Sequence, residues 1–346
     1  MTRHVVIRAD AGADIGIGHV TRCATLASAL FARGYTPLFV TRRDSASLVS
    51  RLALEFDVEA IDALDWDQDA SASRAVIASL GATASWIVVD HLQLDDRWER
   101  AMRVSGARLL AFDDMRDIRH CVDVVVSDTD VPFPAAGAGC GPRRDLLGPR
   151  YALVASAFAP DPRQPAIGRH HVLISYGGSD PTGETEKALA AVALVRDGVD
   201  SDLLGDVTVV IGHANTRADQ IIADVNALDD VQVAYAPPSL APYLRACDLF
   251  LCAGGQSMIE ALAVRRNCLV TITAPNQSLG VKRVANAGLV RALGAHSTVD
   301  MHHVERALGS TFKELCRLNE ELEHSPFDNL GASRIVEAMM SIETQS

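Results

Sequence analysis

No apolar stretch in the 346 residues approaches the roughly 18 that a membrane-spanning helix needs, which excludes a transmembrane reading. A basic excess is also missing. The chain has 32 Lys and Arg against 44 Asp and Glu, a net charge of −12 with the signs dispersed. That balance disfavours a nucleic-acid partner, which needs a compensating basic face, but leaves room for a local phosphate site. The seven cysteines show no paired zinc spacing, and Cys247 and Cys252, five apart, fit no template. An odd count in a chain of this length implies reduced, mostly buried thiols and a cytoplasmic home. Met1-Thr2-Arg3-His4 runs straight into a strand pattern, so no signal peptide is expected.

What is present is ample apolar content, 48%, enough for one large or two ordinary domains with real cores. Val5-Val6-Ile7 reads as a short buried strand, and apolar positions Val20, Cys23, Leu26, Ala27 and Leu30 follow at helical spacing before Gly34. Strand patterns recur at 38–40, 86–90, 109–112 and 124–126. Ala159 to Pro165 is proline-rich and polar and reads as a linker, placed at 156–170. The pattern then restarts with strands at 171–176, 207–211, 231–235, 249–252 and 268–273. Strands alternating with helices predict two α/β, Rossmann-like doubly wound domains facing a cleft, at 1–155 and 171–330. A final helix from Gly331, within 331–346, is expected to pack back onto the first domain.

Ligands of such sheets sit at the carboxyl ends of the strands. Five glycine- or acid-containing segments fall there, Asp113-Asp114 among them. Ile15-Gly16-Ile17-Gly18-His19 lets a ligand approach the backbone and places a histidine, a proton acceptor near neutral pH, at a helix start. A dinucleotide fingerprint needs a third glycine where Thr21 stands, so a nucleotide-redox reading loses ground. Asp90-His91 ends a strand, with His91 a candidate substrate contact. Gly177-Gly178-Ser179 and Gly254-Gly255-Gln256-Ser257 each precede a helix, where backbone amides suit a diphosphate. Glu260, two turns into the second of these helices, suits a pair of ribose hydroxyls, and Asn276-Gln277 suits sugar hydroxyls or amides. Asp65-x-Asp67-x-Asp69 resembles a calcium loop, but Ala70 and Val76 stand where glycine and glutamate are required, so a solvated loop is expected. Asp113-Asp114 and His120-Cys121 lack further ligands at metal spacing, and no metal or cofactor is expected.

Several of these segments together carry a resemblance. Arg8-Ala9-Asp10, Ile15 through Arg22, Val89-Asp90-His91, Phe112-Asp113-Asp114 and Leu147 through Tyr151 form its first half. Tyr176 through Asp180, Ala253-Gly254-Gly255, Glu260-Ala261-Leu262, Asn276-Gln277 and Asp328 through Ala332 complete it. In this colinear set the chain resembles the UDP-2,4-diacetamido-2,4,6-trideoxy-β-L-altropyranose hydrolases of pseudaminic acid biosynthesis, themselves similar to glycosyltransferases of the GT-B architecture. Leu92 stands where that family often has tyrosine.

The resemblance implies a metal-independent hydrolase in which water displaces UDP from an anomeric carbon with inversion. His19 is the implied general base. The implied substrate contacts are Asp10, Gly16, Gly18, His91, Gly177, Gly178, Ser179, Gly254, Gly255, Gln256, Ser257, Glu260, Asn276 and Gln277. The implied partner is a UDP-linked sugar. Two alternatives use the same residues: a glycosyltransferase in which His19 deprotonates an acceptor hydroxyl, and a nucleotide-sugar-binding protein without turnover.

Overall fold

The structure is a computed structural model, and it describes residues 3–12, 15–53, 55–81, 84–114, 118–161, 168–226, 228 and 230–344. The chain divides into two compact units, Met1–Val154 with Leu330–Ser346, and Ala155–Asn329.

The first unit runs β1 (Arg3–Ala9), α1 (Gly18–Phe31), β2 (Tyr35–Arg42), α2 (Ala46–Leu52), β3 (Asp57–Ile61), α3 (Trp66–Ser79), β4 (Trp86–Asp90), α4 (Asp96–Met102), β5 (Arg108–Phe112), β6 (Val124–Ser127) and β7 (Arg144–Leu147). Its strands form one parallel sheet in the order β3-β2-β1-β4-β5-β6-β7. Both faces are covered, which is why the strands read as unbroken apolar runs rather than as alternations. Val5 and Ile7 pack on one face with Val20, Leu26 and Leu30 of α1, and Val6 packs on the other with Trp98 and Met102 of α4.

The second unit runs β8 (His170–Ser175), α5 (Glu184–Arg196), β9 (Leu204–Ile211), α6 (Ala218–Val225), β10 (Val231–Tyr235), α7 (Ala241–Ala246), β11 (Leu249–Ala253), α8 (Gln256–Val264), β12 (Asn267–Ile272), α9 (Ser278–Asn286), β13 (Arg291–Ala295), α10 (Met301–Phe312) and α11 (Leu315–Glu323). Its parallel sheet has the order β10-β9-β8-β11-β12-β13. The last helix, α12 (Gly331–Thr344), belongs to the first unit. Its Ile335, Val336 and Met339 complete the core that α1 lines. Glu343 anchors it, accepting from Trp86 Nε1 at 2.8 Å, from the Tyr35 hydroxyl at 3.0 Å and from Arg3.

In each sheet the order reverses at one place, between β1 and β4 and between β8 and β11. Ligands of doubly wound sheets bind at the carboxyl ends of such strand pairs.

Three sequence expectations are corrected here. Asp65 to Asp69 is no solvated loop: Asp65 caps α3, accepting from the Asp67 and Gln68 amides at 3.1 and 2.9 Å, and Asp69 is buried beneath Arg8 and Trp98. The cysteines are not all reduced, because Cys121 and Cys140 form a disulfide; Cys23, Cys247, Cys252 and Cys268 remain buried thiols and Cys316 an exposed one. The linker expectation at 156–170 is narrowed, since Phe158 is buried and His170 already opens β8. Residues 162–167 of that stretch lie outside the described set. No helix among the described residues is long and apolar enough to cross a membrane.

Candidate functional site

At the β1–β4 reversal, the loop after β1 closes through Gly12 and Gly16, whose amides and carbonyls pair at 3.2 and 2.7 Å. Gly16 has φ +80°, a conformation that glycine adopts without strain. Its N–H is spent on Gly12, so Gly16 shapes the loop and offers no donor to a ligand. Gly18 opens α1, and an added Cβ there would meet open space.

His19 follows in the first turn of α1, and its Nδ1 lies 2.7 Å from Oδ1 of Asp90 at the end of β4. A carboxylate only accepts, so Nδ1 carries the proton and Nε2 is the basic nitrogen of the neutral ring. Asp90 is fully enclosed. Burial alone would raise its pKa, but the charges and hydrogen bonds of Arg22 and His19 hold the carboxyl well below the usual range. Arg22, one turn along α1 from His19 and so on the same helix face, donates to Asp90 from Nε at 2.5 Å and from Nη2 at 2.6 Å. Its Nη1 reaches Asp114 beyond β5. The buried thiol of Cys23 completes the surroundings, donating to Asp90 Oδ2 at 3.7 Å.

Asp10 and His91 bond to one another, and Asp10 to Arg8, within the first unit. The Asp10 carboxylate is wholly buried and accepts from Arg8 at 2.6 and 2.9 Å, from Thr41 Oγ1 at 2.8 Å and from the Arg42 amide at 2.8 Å. His91 Nδ1 accepts the Gln93 amide at 3.0 Å, so its Nε2 is the donor to Asp10, at 2.9 Å. Burial opposes ionisation of Asp10, yet His91, Arg8 and the Arg42 amide hold its pKa well below the carboxylate range. This closed group joins the end of β1 to the end of β4 beside Asp90. Beside it, His120 donates to Glu99 at 2.6 Å and Asp113 at 3.1 Å. Asp113 therefore serves the fold while its neighbour Asp114 serves Arg22.

The β8–β11 reversal of the second unit holds the other candidate segments, and their two helix starts differ. At α5, the Asp180 carboxylate already accepts the Glu184 and Thr185 amides at 3.0 and 2.9 Å, which leaves that helix start closed to an added anion. At α8 the N-cap is Gly255, which has no side chain to cap with, and Gln256 and Ser257 follow it in the first turn. The amide of Gly254 is occupied, donating to Gln277 Oε1 at 3.2 Å. That same oxygen accepts from the Thr273 amide at 2.9 Å and hydroxyl at 3.2 Å. Gln277 thus braces two loops, and its carbonyl is not free for a sugar. Asn276 is exposed next to it. Gly177 has φ +84°, and Gly178 accepts the Ala214 amide at 3.1 Å. Ser179 follows, half-buried. Gly212 was not singled out from sequence, yet a Cβ there would overlap the Gly178 Cα and the carbonyl oxygens of both Gly177 and Gly178.

Glu260 lies buried inside α8, and burial, countered only in part by a hydrogen bond with Gln256, pushes its pKa up to about 8. It is a neutral acid at neutral pH, able both to donate to and accept from a hydroxyl pair.

No protein-family model matches the chain. Among curated proteins it is similar to the spore coat polysaccharide biosynthesis protein SpsG of Bacillus subtilis (strain 168), 24% identical over 304 residues that cover 84% of either chain. Among solved structures it is similar to MurG of Acinetobacter baumannii, with 13% identity, a TM-score of 0.71, and 98% of this chain and 99% of that one covered. It is similar also to a glycosyltransferase from Rickettsia africae ESF-5, with 12% identity, a TM-score of 0.64 and full coverage of both, 100%. The chain therefore has an α/β fold of two Rossmann-like units, the architecture of the GT-B glycosyltransferases. Asp90, Arg22, Asp114 and Gly212 are the site residues that sequence reasoning left unassigned. A usable signal existed for Arg22, which stands three residues after His19 and so one turn further on the same helical face.

Proposed function

We propose that the chain is an enzyme acting on a nucleotide sugar, and specifically a hydrolase of a UDP-linked sugar. The observation that carries this reading is the His19–Asp90 pair at the β1–β4 reversal. A neutral imidazole fixed with Nε2 as its basic nitrogen is the equipment for taking a proton from an attacking oxygen. Water attacks the anomeric carbon, the bond from that carbon to the diphosphate oxygen breaks, and UDP leaves with the electron pair. The proton from water passes to Nε2 of His19, and Asp90 stabilises the imidazolium.

The second unit supplies the nucleotide side of the reading. The glycine-led start of α8 suits the diphosphate, because first-turn amides and the helix dipole favour negative charge. Glu260 suits the ribose. The diacetamido-trideoxy sugar of the resembled hydrolases is the first substrate to try, and the similarity to SpsG supports a place in polysaccharide biosynthesis.

A glycosyltransferase is the second reading, favoured by the architecture shared with the Rickettsia enzyme. There the same base deprotonates an acceptor hydroxyl. The deciding experiment incubates the protein with a panel of UDP-sugars, with no acceptor, and measures free sugar and UDP. Hydrolysis releases both, and His19→Asn abolishes the release while calorimetric UDP affinity stays close to wild type. UDP release only on adding an acceptor establishes the transferase. Full release by His19→Asn sinks the base assignment.

A further inference from the structure

His19 does not face a simple carboxylate. Asp90, its partner at 2.7 Å, is gripped on both oxygens by Arg22 at 2.5 and 2.6 Å, and Arg22 is in turn held by Asp114. The four side chains form a row of alternating sign, Asp114, Arg22, Asp90 and His19, carried by three elements: α1, the end of β4 and the residue pair after β5. With His19 neutral the row has one net negative charge, and with His19 protonated it has none. Coulomb coupling along such a row, buried at Asp90 and mostly buried at His19 and Arg22, is strong enough to move a titration.

We infer that Arg22 and Asp114 are positioning residues that set the proton affinity of His19 through Asp90. Arg22 weakens the pull of the Asp90 carboxylate on the imidazole proton, and Asp114 restores part of it. His120 shows the effect of carboxylates that bracket an imidazole directly. Burial disfavours its charged form, but hydrogen bonds to Asp113 and Glu99 and their charges raise its pKa to about 9. A general base must instead be free of its proton near neutral pH. A guanidinium on the shared carboxylate is one way to meet that need while keeping the hydrogen bond that fixes the ring.

Asp128 meets the row at Asp114, donating its amide to Oδ1 at 3.5 Å, and other titratable groups near the row, Cys23 apart, turn elsewhere. Cys23 is a thiol that burial holds protonated. Asp10, Arg8 and His91 close onto one another, and Asp113 turns to His120.

The inference builds on His19 as the base, but it can be tested without turnover. Full-length protein with ring-13C histidine is titrated by NMR, and the His19 signal is identified by its loss in His19→Asn. Removing the positive charge in Arg22→Met moves the His19 midpoint up by about one pH unit. Removing the negative charge in Asp114→Asn moves it down, and Arg22→Lys leaves it near wild type. Asp114 is about one-third exposed, 32%, so Asp114→Asn keeps the fold even if Arg22→Met does not. A midpoint unmoved by Asp114→Asn, or displaced in the same direction by Asp114→Asn and Arg22→Met, overturns the inference. UDP release retained by His19→Asn, with the midpoints displaced in opposite directions, would instead refute the base reading alone.

Discussion

Asp90, at the end of β4, reaches His19 on α1, 71 residues earlier in the chain, and fixes its ring through a 2.7 Å contact to Nδ1. The carboxylate contributes the tautomer and, in the proposed reaction, a charge that favours the imidazolium formed as His19 takes the proton. Asp90→Asn keeps the shape and removes both effects. It should lower kcat for UDP release by about 100- to 10,000-fold, the range spanned by general-base catalysis and by loss of an orienting carboxylate. Calorimetry should show UDP affinity within about threefold of wild type, since the second unit is read as holding the nucleotide. A kcat near wild type would remove Asp90 from the mechanism.

Gly212 tests the second unit. A methyl group there overlaps the backbone of Gly177 and Gly178, and no flexible side chain is present to yield. Gly212→Ala should displace the 177–178 loop, cost about 1–3 kcal/mol of stability as overpacking does, and weaken UDP binding. Gly280→Ala is the control. Its Cβ meets nothing within 4 Å and it lies inside α9, so it should leave binding intact and stabilise by about 0.5–1 kcal/mol. Denaturation midpoints and calorimetry on both variants separate the two outcomes.

These sites show where sequence reasoning stops. The two-layer burial of β1 is legible because Val5, Val6 and Ile7 are all apolar, and α1 is legible because Val20, Cys23, Leu26, Ala27 and Leu30 repeat at helical spacing. His19 is legible because it stands next to a glycine at a helix start. Its partner is not, because pairing Asp90 with His19 depends on β4 lying beside β1, which is a property of strand order. Asp10 and His91 have the composition of a binding pair, and only burial shows that they satisfy each other. Gln277 misleads similarly, since an amide after a strand can equally serve a sugar or two loops. Gly212 is silent in sequence because its neighbour is another loop's backbone. The Cys121–Cys140 pairing is likewise a matter of proximity, and an odd cysteine count obscures it.

Glu260 links the nucleotide site to stability. An acid whose folded pKa is raised from 4.5 to about 8 contributes stability that is complete below the lower value and is lost as pH rises toward the upper one. Glu260→Gln mimics the neutral acid and does not titrate. Relative to wild type the variant should gain about 1.4 kcal/mol per pH unit across that window, as an upper bound, and then level off. Urea denaturation at several pH values measures it. A constant difference between the two proteins would show that Glu260 is already ionised in the folded state. Glu260→Ala, in contrast, should weaken UDP binding at every pH, and unchanged calorimetric affinity would count against its ribose role.

His120 carries the corresponding prediction for the first unit, with the window shifted to higher pH. Its folded pKa is raised from 6.5 to about 9, because the hydrogen bonds and charges of Asp113 and Glu99 together outweigh burial. The imidazolium therefore contributes stability that is fully present below the lower value and lost as pH rises through the upper one. At most this amounts to about 3.5 kcal/mol, the full displacement converted at about 1.4 kcal/mol per unit. His120→Gln removes the imidazolium that both Glu99 and Asp113 accept from, so it should be strongly destabilised near pH 6. Near pH 10 the wild type has lost its imidazolium as well, and the gap between the two proteins should narrow. Thermal denaturation across that range reads the gap directly. A gap that stays constant, or widens with pH, would mean that His120 is neutral between its two acids.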